Sequence, residues 1–400
     1  ALVLEQEKRE RRDGFSVFVI EGTNAFVESD PKKGWKFINS MSGKGKSGVN
    51  ASAMSDSSGQ LQTEESEILK VWAAHYGKLA SDDNGMSRGV KAWENLFKER
   101  ATRGKVRDRL PNLNVEFTFE DLVRGFWKAK SNKAPGASGL TVEVLRSCLP
   151  TMAEVREIKK EKKKIVPCNK MAEALFSLAR VIFDTGTIPE NYLSSTVISL
   201  FKKGVATDVG NYRGISLIEI LLKVVTAVAT RRTVAALEKA EFFRQEQGGF
   251  RSEEECIAQV IALHEVCRRR REEGSNTYLF FADMRKAFDV VSHAAVLSKL
   301  KEAGVHGKMM DFFLGLYRNP RFQCRSGKDL SDGVKLSRGL RQGCNASPSL
   351  FLVFINDIMD AAERSGLGVD LPRLTQNDID NGVVKKLVGL LFADDSVGAA

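Results

Sequence analysis

Several features that would fix the class of a protein at once are missing from this sequence. The six cysteines, Cys148, Cys168, Cys256, Cys267, Cys324 and Cys344, form no C-x-x-C pair and no metal-finger spacing. That excludes a disulfide framework or a zinc module and points to reduced thiols in an intracellular protein. No apolar run approaches the roughly 18 residues of a membrane span, and no secretory signal is recognisable. Histidine is rare, at four in 400 residues. His75 has no partner at ligand spacing and reads as a packed side chain, because metal ligands come in clusters.

What is present is apolar bulk and positive charge. The chain is 42% hydrophobic over 400 residues, enough for one or two domains with a sizeable core. Lys and Arg number 61 against 51 Asp and Glu, a net charge of +10. Such a balance suits a polyanionic partner. The first residue is Ala1, and Ala400 follows closely on Asp395, so both ends are expected to continue in a longer polypeptide.

Two stretches organise the rest. Tyr278, Leu279, Phe280, Phe281 and Ala282 form an apolar, aromatic run expected to be a buried strand, and it ends in Asp283. Leu387 to Phe392 is a second apolar run, followed by Ala393, Asp394 and Asp395. A lone Asp after a strand is ordinary turn chemistry, but here two strands deliver carboxylates at their tips. Two unit charges about 4 Å apart cost roughly 4 kcal/mol at an effective dielectric of about 20. A divalent cation would remove that repulsion, and two metals about 4 Å apart would serve an in-line phosphoryl transfer.

Along the chain, Phe15 to Ile20 alternates like a short strand, and Ser40 to Gly59 has the composition of a linker or surface loop. Helical spacing predicts helices over Glu64–Leu79, Phe119–Lys130, Met171–Phe183 and Ile257–Arg271, with a long buried one over Ile215–Leu237. Pro135, Gly136 and Gly139 make a turn that leads into a helix over Leu140–Leu149. The basic run Lys159 to Lys164 is a solvated face or a phosphate contact. Arg268 to Arg271 either complements a helix C-terminus or touches a template backbone.

Thr196 to Phe201 reads as a strand that ends in Lys202 and Lys203, with Arg213 on the returning segment. Such a basic hairpin can supply charge-assisted hydrogen bonds to a triphosphate. Helices are expected on either side of Gly304, and a strand pair over Arg321–Arg325 and Gly333–Leu336 leads to the Arg341-Gln342-Gly343 turn. Ser347 is placed to cap, with Pro348 at the first helical position, an apolar helix continuing over Ser349–Ala361. Gly343 lets backbone come close to a base. Leu371 to Gly382 is a polar loop, and Lys385 to Ala393 returns as the last strand.

FADMRKAFD (Phe281 to Asp289), GLRQGCNASPSLFLVFINDI (Gly339 to Ile358) and FADD (Phe392 to Asp395) stand in one order, and in it they resemble the reverse transcriptase domain of non-LTR (LINE-type) retrotransposons. DPKKGWKF (Asp30 to Phe37) and WAAHYGKL (Trp72 to Leu79) resemble the connector before that polymerase, and QEQGGFR (Gln245 to Arg251) resembles a further segment of it. The resemblance implies an α+β right-hand polymerase with fingers and an antiparallel palm sheet packed on helices, the thumb being absent. It divides the chain into a linker over 1–60, a helical connector over 61–130, fingers over 131–275 and an incomplete palm over 276–400.

The resemblance also implies RNA-templated DNA synthesis from deoxynucleoside triphosphates onto a DNA primer, with no membrane partner. Asp283, Asp394 and Asp395 would hold two Mg²⁺ ions, which Mn²⁺ could replace. Lys202 or Lys203, Arg213, Gln342 and Gly343 would contact the incoming nucleotide. Phe288 would pack under the sugar and exclude a 2′-hydroxyl, unless it is a core residue. Ser138 departs from the family's acidic residue, and Glu253 to Glu255 replace smaller, often basic residues. Nucleus or cytoplasmic ribonucleoprotein is the implied location. With no primer-contacting segment or thumb, this chain alone is expected to be a poor polymerase. The alternatives are a catalytically inactive, nucleic-acid-binding remnant of a retroelement, or RNA-templated RNA synthesis.

Overall fold

The computed structural model describes residues 53–82, 90–102, 107–252, 254–364, 366, 368–370 and 386–399. The expected strand over Phe15–Ile20, the Asp30–Phe37 segment, most of the 1–60 linker, Glu253 and the Leu371–Gly382 loop lie outside these residues. The chain divides into two compact units. Among the described residues, the first holds 53–68 and Ser199–Arg213, and the second holds the rest.

In chain order the helices are α1 (Glu65–Ala80), α2 (Val90–Thr102), α3 (Phe119–Lys128), α4 (Val142–Arg146), α5 (Met152–Lys160), α6 (Lys170–Thr185), α7 (Glu190–Leu193), α8 (Ile220–Lys239), α9 (Cys256–Glu272), α10 (His293–Glu302), α11 (Gly307–Leu316), α12 (Ser347–Ile355) and α13 (Ile358–Arg364). The strands are β1 (Met54–Ser55), β2 (Leu61–Gln62), β3 (Ser194–Phe201), β4 (Tyr212–Leu217), β5 (Leu279–Asp283), β6 (Arg321–Ser326), β7 (Asp329–Leu330), β8 (Val334–Lys335), β9 (Val369–Asp370), β10 (Lys386–Leu387), β11 (Gly389–Phe392) and β12 (Asp395–Ala399). This is a mixed α and β protein. Among the described residues no helix is long and apolar enough to cross a membrane, and all six cysteines are free.

In the first unit, β1 and β2 pair antiparallel. Asp56 closes their turn by accepting from the Ser58 hydroxyl at 2.6 Å and the Gln62 amide at 2.8 Å. Those two bonds pull its carboxyl down to about 2. The outer end of β3 and the start of β4 also belong to this unit. They are joined by Lys202 N–H donating to the Asn211 carbonyl at 2.9 Å and by an edge contact of Phe201 with Tyr212 at 5.2 Å.

The second unit is built on one apolar core. Phe117 and Leu122, Val123 and Phe126 of α3 meet Ile182 and Phe183 of α6, Leu221 to Val228 of α8, Phe312 and Phe313 of α11, and Phe351 of α12. Each such side chain contributes roughly 1.5–3 kcal/mol by leaving water. Thr118 caps α3 in a reciprocal box with Asp121, and Arg232 from α8 pairs with that carboxylate at 2.8 Å. A Cβ on Gly125 would stand 2.6 Å from Val224, so this glycine lets α3 and α8 touch.

Two sheets position the site. One has the order β4-β3-β6-β7, with β8 pairing β6. The other has β12 in the middle, between β11 and β5.

Four expectations need correction. The long helix begins at Ile220 rather than Ile215, because residues 215–217 are the end of β4. The apolar helix is two, α12 and α13. They part at Asn356, whose side chain accepts from Arg244 N–H at 3.0 Å and donates to the Phe242 carbonyl at 2.8 Å. Ser347 is not the cap; it is the first residue of α12, and its hydroxyl donates to the Arg341 carbonyl at 2.7 Å. The Tyr278–Ala282 run is not buried. Tyr278, Phe280 and Phe281 are 71%, 72% and 69% exposed, because β5 is the outer strand of its three-stranded sheet.

Candidate active site

The acidic tips come together through strand register. Asp283 on β5 is the direct ladder partner of Asp395 on β12, and Asp395 is in turn opposite Phe392 on β11. Facing residues of an antiparallel pair have Cα atoms about 4.5–5.5 Å apart and side chains on one face. Asp394 stands next to them in the two-residue turn Ala393-Asp394. Asp283 and Asp395 are exposed and Asp394 half-buried. Among the described residues no Lys or Arg forms an ion pair with any of the three. Nor do three or more Asp, Glu, His or Cys converge there closely enough to hold a metal by themselves. A facing pair of carboxylates left open to solvent still fits Mg²⁺, which takes one or two carboxylates and fills its shell with water and phosphate oxygens.

Ala393 has φ 60°, a left-handed conformation rare outside glycine. The 246–249 segment lies along this turn. Gly248 N–H donates to the Leu391 carbonyl at 2.9 Å, and Leu391 N–H donates to the Glu246 carbonyl at 2.7 Å. A Cβ on Gly249 would collide with the Ala393 amide nitrogen, so only glycine admits this approach.

The Arg341-Gln342-Gly343 turn is bolted to the segment after β5. Gly339 N–H donates to Val291 O and Leu340 N–H to Phe288 O, both at 2.8 Å. The Gln342 side-chain amide donates to Asp289 at 3.2 Å. Desolvation raises the Asp289 carboxyl, against the opposing pull of Lys286 and of the Gln342 bond. On the other side, Ser216 N–H donates to the Gln342 carbonyl at 2.7 Å. Gly343 has φ 110°, and a Cβ there would meet Ser216 O at 2.7 Å. The end of β4 and the backbone angle thus by themselves require glycine at 343.

Beneath this turn Arg341 is buried and donates to Leu193 O at 3.4 Å and Leu316 O at 3.3 Å. His293 donates from Nε2 to Gly339 O at 2.8 Å, and its ring lies 4.5 Å from that of Tyr317. Burial depresses this imidazole to about 4, so it is neutral at neutral pH.

Phe288 is half-buried and stacks on Phe351 at 4.6 Å, with Phe250 edge-on at 6.1 Å. One ring face is therefore committed to the core. Lys202, Lys203 and Arg213 are exposed on the first unit.

Arg268 and Arg269 pair with Glu265 on their own helix at 2.8 and 2.7 Å, which is the local account of that basic run. Lys159, Lys160 and Lys163 are likewise matched to Glu120, Glu157 and Glu161. The 133–140 turn docks on α8: buried Glu219 accepts from Ser138 N–H at 2.7 Å and from its hydroxyl at 2.6 Å.

Sequence reasoning missed Gln247, Asn356 and Glu219, three buried or half-buried polar side chains that tie loops to the sheet and helices around the site. Two of them carried a signal: Gln247 sits inside the QEQGGFR motif and Asn356 inside the Gly339 to Ile358 motif, whereas Glu219 lies in neither.

Residues 201–398 match the family described as reverse transcriptase (RNA-dependent DNA polymerase). Among curated proteins, the chain is 26% identical over 229 residues to the Pol polyprotein of the type-1 retrotransposable element R2 of Nasonia vitripennis, covering 57% of this chain and 21% of that protein. It is 26% identical over 183 residues to the RNA-directed DNA polymerase from mobile element jockey of Drosophila melanogaster, covering 44% and 19%. It is 22% identical over 252 residues to a 149 kDa protein of transposon TX1 of Xenopus laevis, covering 63% and 18%. The matched region spans about a fifth of the length of these relatives.

Proposed function

Since residues 201–398 are a reverse transcriptase domain of the kind carried by LINE-type retrotransposon polyproteins, we propose that this chain supplies the nucleotidyl-transfer centre of an RNA-directed DNA polymerase. The observation that carries the reading is the register of Asp283 against Asp395, with Asp394 in the adjoining turn. In this reading the second unit's β11-β12-β5 sheet is palm, within 276–400, and 131–275 are fingers. Residues 61–130 are a helical connector and 1–60 a linker.

Asp283, Asp394 and Asp395 would hold two Mg²⁺ or Mn²⁺ ions beside the primer terminus. Bound there, the ions supply a lowered pKa for the primer 3′-hydroxyl and offset charge on the departing pyrophosphate. Gln342 and Gly343 present an amide and a close backbone to the incoming nucleotide. The exposed face of Phe288 lies against its sugar. On the first unit, Lys202 or Lys203 with Arg213 would bind triphosphate oxygens by charge-assisted hydrogen bonds. The RNA template would be held largely through its phosphates, so binding weakens steeply with salt. An intracellular site, nuclear or in a cytoplasmic ribonucleoprotein, follows from such a template.

The test is primer extension on an RNA template with Mg²⁺, using the wild type and Asp394→Asn at matched template binding. The reading expects synthesis that Asp394→Asn abolishes while template binding persists. Template binding with no synthesis by wild type, also after C-terminal extension of the chain, would replace it with a retroelement-derived nucleic-acid binder. The lack of a self-sufficient carboxylate cluster among the described residues is the observation that favours that second reading.

A further inference from the structure

The Ala393-Asp394 turn has an awkward task. It must place one carboxylate beside two others while its first residue, Ala393, sits at φ 60° without being glycine. Such a residue persists only where its surroundings hold it. The described contacts show what holds it. Gln247 is 2% exposed, and its side-chain oxygen accepts from Ala393 N–H at 2.9 Å and from Gly249 N–H at 2.8 Å. Its side-chain nitrogen donates to the Ala393 carbonyl at 3.3 Å. One side chain thus engages both polar groups of the left-handed residue.

The segment that carries Gln247 is itself anchored. Arg251 pairs with Glu238 at 2.8 Å and donates to Arg244 O and Gln247 O at 3.0 and 3.1 Å. Arg244 pairs with Glu246 at 2.8 Å and Asp360 at 3.1 Å, and also with Glu363. Asn356 binds the backbone at Phe242 and Arg244. The clamp on Ala393 is therefore fixed to α8, α12 and α13.

We propose that Gln247 is a positioning residue for the acidic turn: by gripping the N–H and carbonyl of Ala393 it sets where Asp394 and Asp395 stand relative to Asp283. Gln247 touches no substrate in this role. The proposal rests on the two-metal reading of the three aspartates only for its consequence. The clamp itself stands on the hydrogen bonds.

The experiment compares the full 400-residue chain with Gln247→Met, which keeps side-chain length but neither donor nor acceptor, and with Gln247→Met/Ala393→Gly. Mn²⁺ binding is followed by electron paramagnetic resonance of the free ion, and the Ala393 amide by hydrogen exchange. Gln247→Met is expected to weaken Mn²⁺ binding about tenfold and to speed Ala393 exchange at least as much. Glycine at 393, which adopts a left-handed φ without strain, is expected to restore most of the metal affinity. A merely structural glutamine would lower the melting temperature and leave the Mn²⁺ affinity of the folded protein unchanged.

Mn²⁺ binding within twofold of a wild type that does take up the ion overturns the proposal, and so does unchanged Ala393 exchange. If wild type takes up no Mn²⁺, the two-metal reading falls and Ala393 exchange alone decides the clamp: faster in the variant supports it, unchanged sinks it. Should Gln247→Met not fold, Gln247→Asn keeps an amide in place but is too short to reach both groups, and carries the same expectations.

Discussion

The Gln342 side-chain amide donates to the Asp289 carboxylate across 3.2 Å, joining the turn after β5 to the turn before α12. This fixes the sense of the Gln342 amide: one N–H is engaged by Asp289, and the other N–H and the carbonyl oxygen are left for a ligand. Desolvation raises the Asp289 carboxyl. A carboxyl raised in the folded state stabilises the fold below its ordinary range, and that contribution is lost as pH rises through the folded value. Asp289→Asn is thus expected to raise the melting temperature relative to wild type at pH 8, with the gap closing toward pH 3. In primer extension, the same substitution should raise the nucleotide KM more than it lowers kcat, because Asn no longer dictates the sense of the Gln342 amide.

Phe288 is held by Phe351 on one face, so its truncation has two separable effects. Phe288→Ala should cost about 2 kcal/mol in urea unfolding, less than a fully buried phenylalanine because the ring is only half-buried. It should also shift incorporation toward ribonucleotides. Retained discrimination against ribonucleotides alongside the stability loss would mark Phe288 as a core residue only.

Buried Glu219 is satisfied from the surface by exposed Ser138, which supplies both donors. Ser138→Ala leaves the carboxylate with one fewer partner and should cost about 1–3 kcal/mol. Ser138→Asp puts a second carboxylate against the first, a repulsion of roughly 4 kcal/mol at about 4 Å and an effective dielectric of 20. Chemical denaturation should rank them wild type, then Ala, then Asp. The Asp variant should recover when Glu219→Gln is added.

His293 is neutral in the fold, with its imidazole depressed from 6.5 to about 4. A depressed group contributes stability that is complete above its ordinary value and lost as pH falls through the folded one. The loss between pH 6.5 and 4 should be roughly 3 kcal/mol at about 1.4 kcal/mol per pH unit. His293→Gln, which can still donate to Gly339 O, should show a flatter decline in stability over that window.

Local pattern made most elements legible. The helices α1, α3, α6 and α9 and the strand β3 lie within one or two residues of their expected bounds, because helical apolar spacing and β-branched runs dominate those stretches. The sharp apolar-to-acidic ends also marked where β5 and β11 stop, but the single last strand expected over Lys385–Ala393 is two, β10 paired with β9 and β11 paired with β12. What was not legible depends on partners distant in sequence. The break at Asn356 has no local cause: nothing in an apolar run shows that its asparagine will bind backbone at Phe242 and Arg244. The exposure of Phe280 and Phe281 is likewise a property of sheet order, not of composition. The packing of Gly343 against the end of β4 also depends on a partner far off in sequence.

The position of β5 at the rim of its sheet has a practical consequence. Its outer row of peptide groups is unpaired among the described strands, and bulky aromatic side chains flank it on both faces. Strands of this type recruit copies of themselves or other extended peptides. Any such addition would run alongside Asp283 and crowd the carboxylates. Protein concentration in the tube would then govern how many acidic centres stay accessible, and specific activity should decline on concentrating a sample and return on dilution.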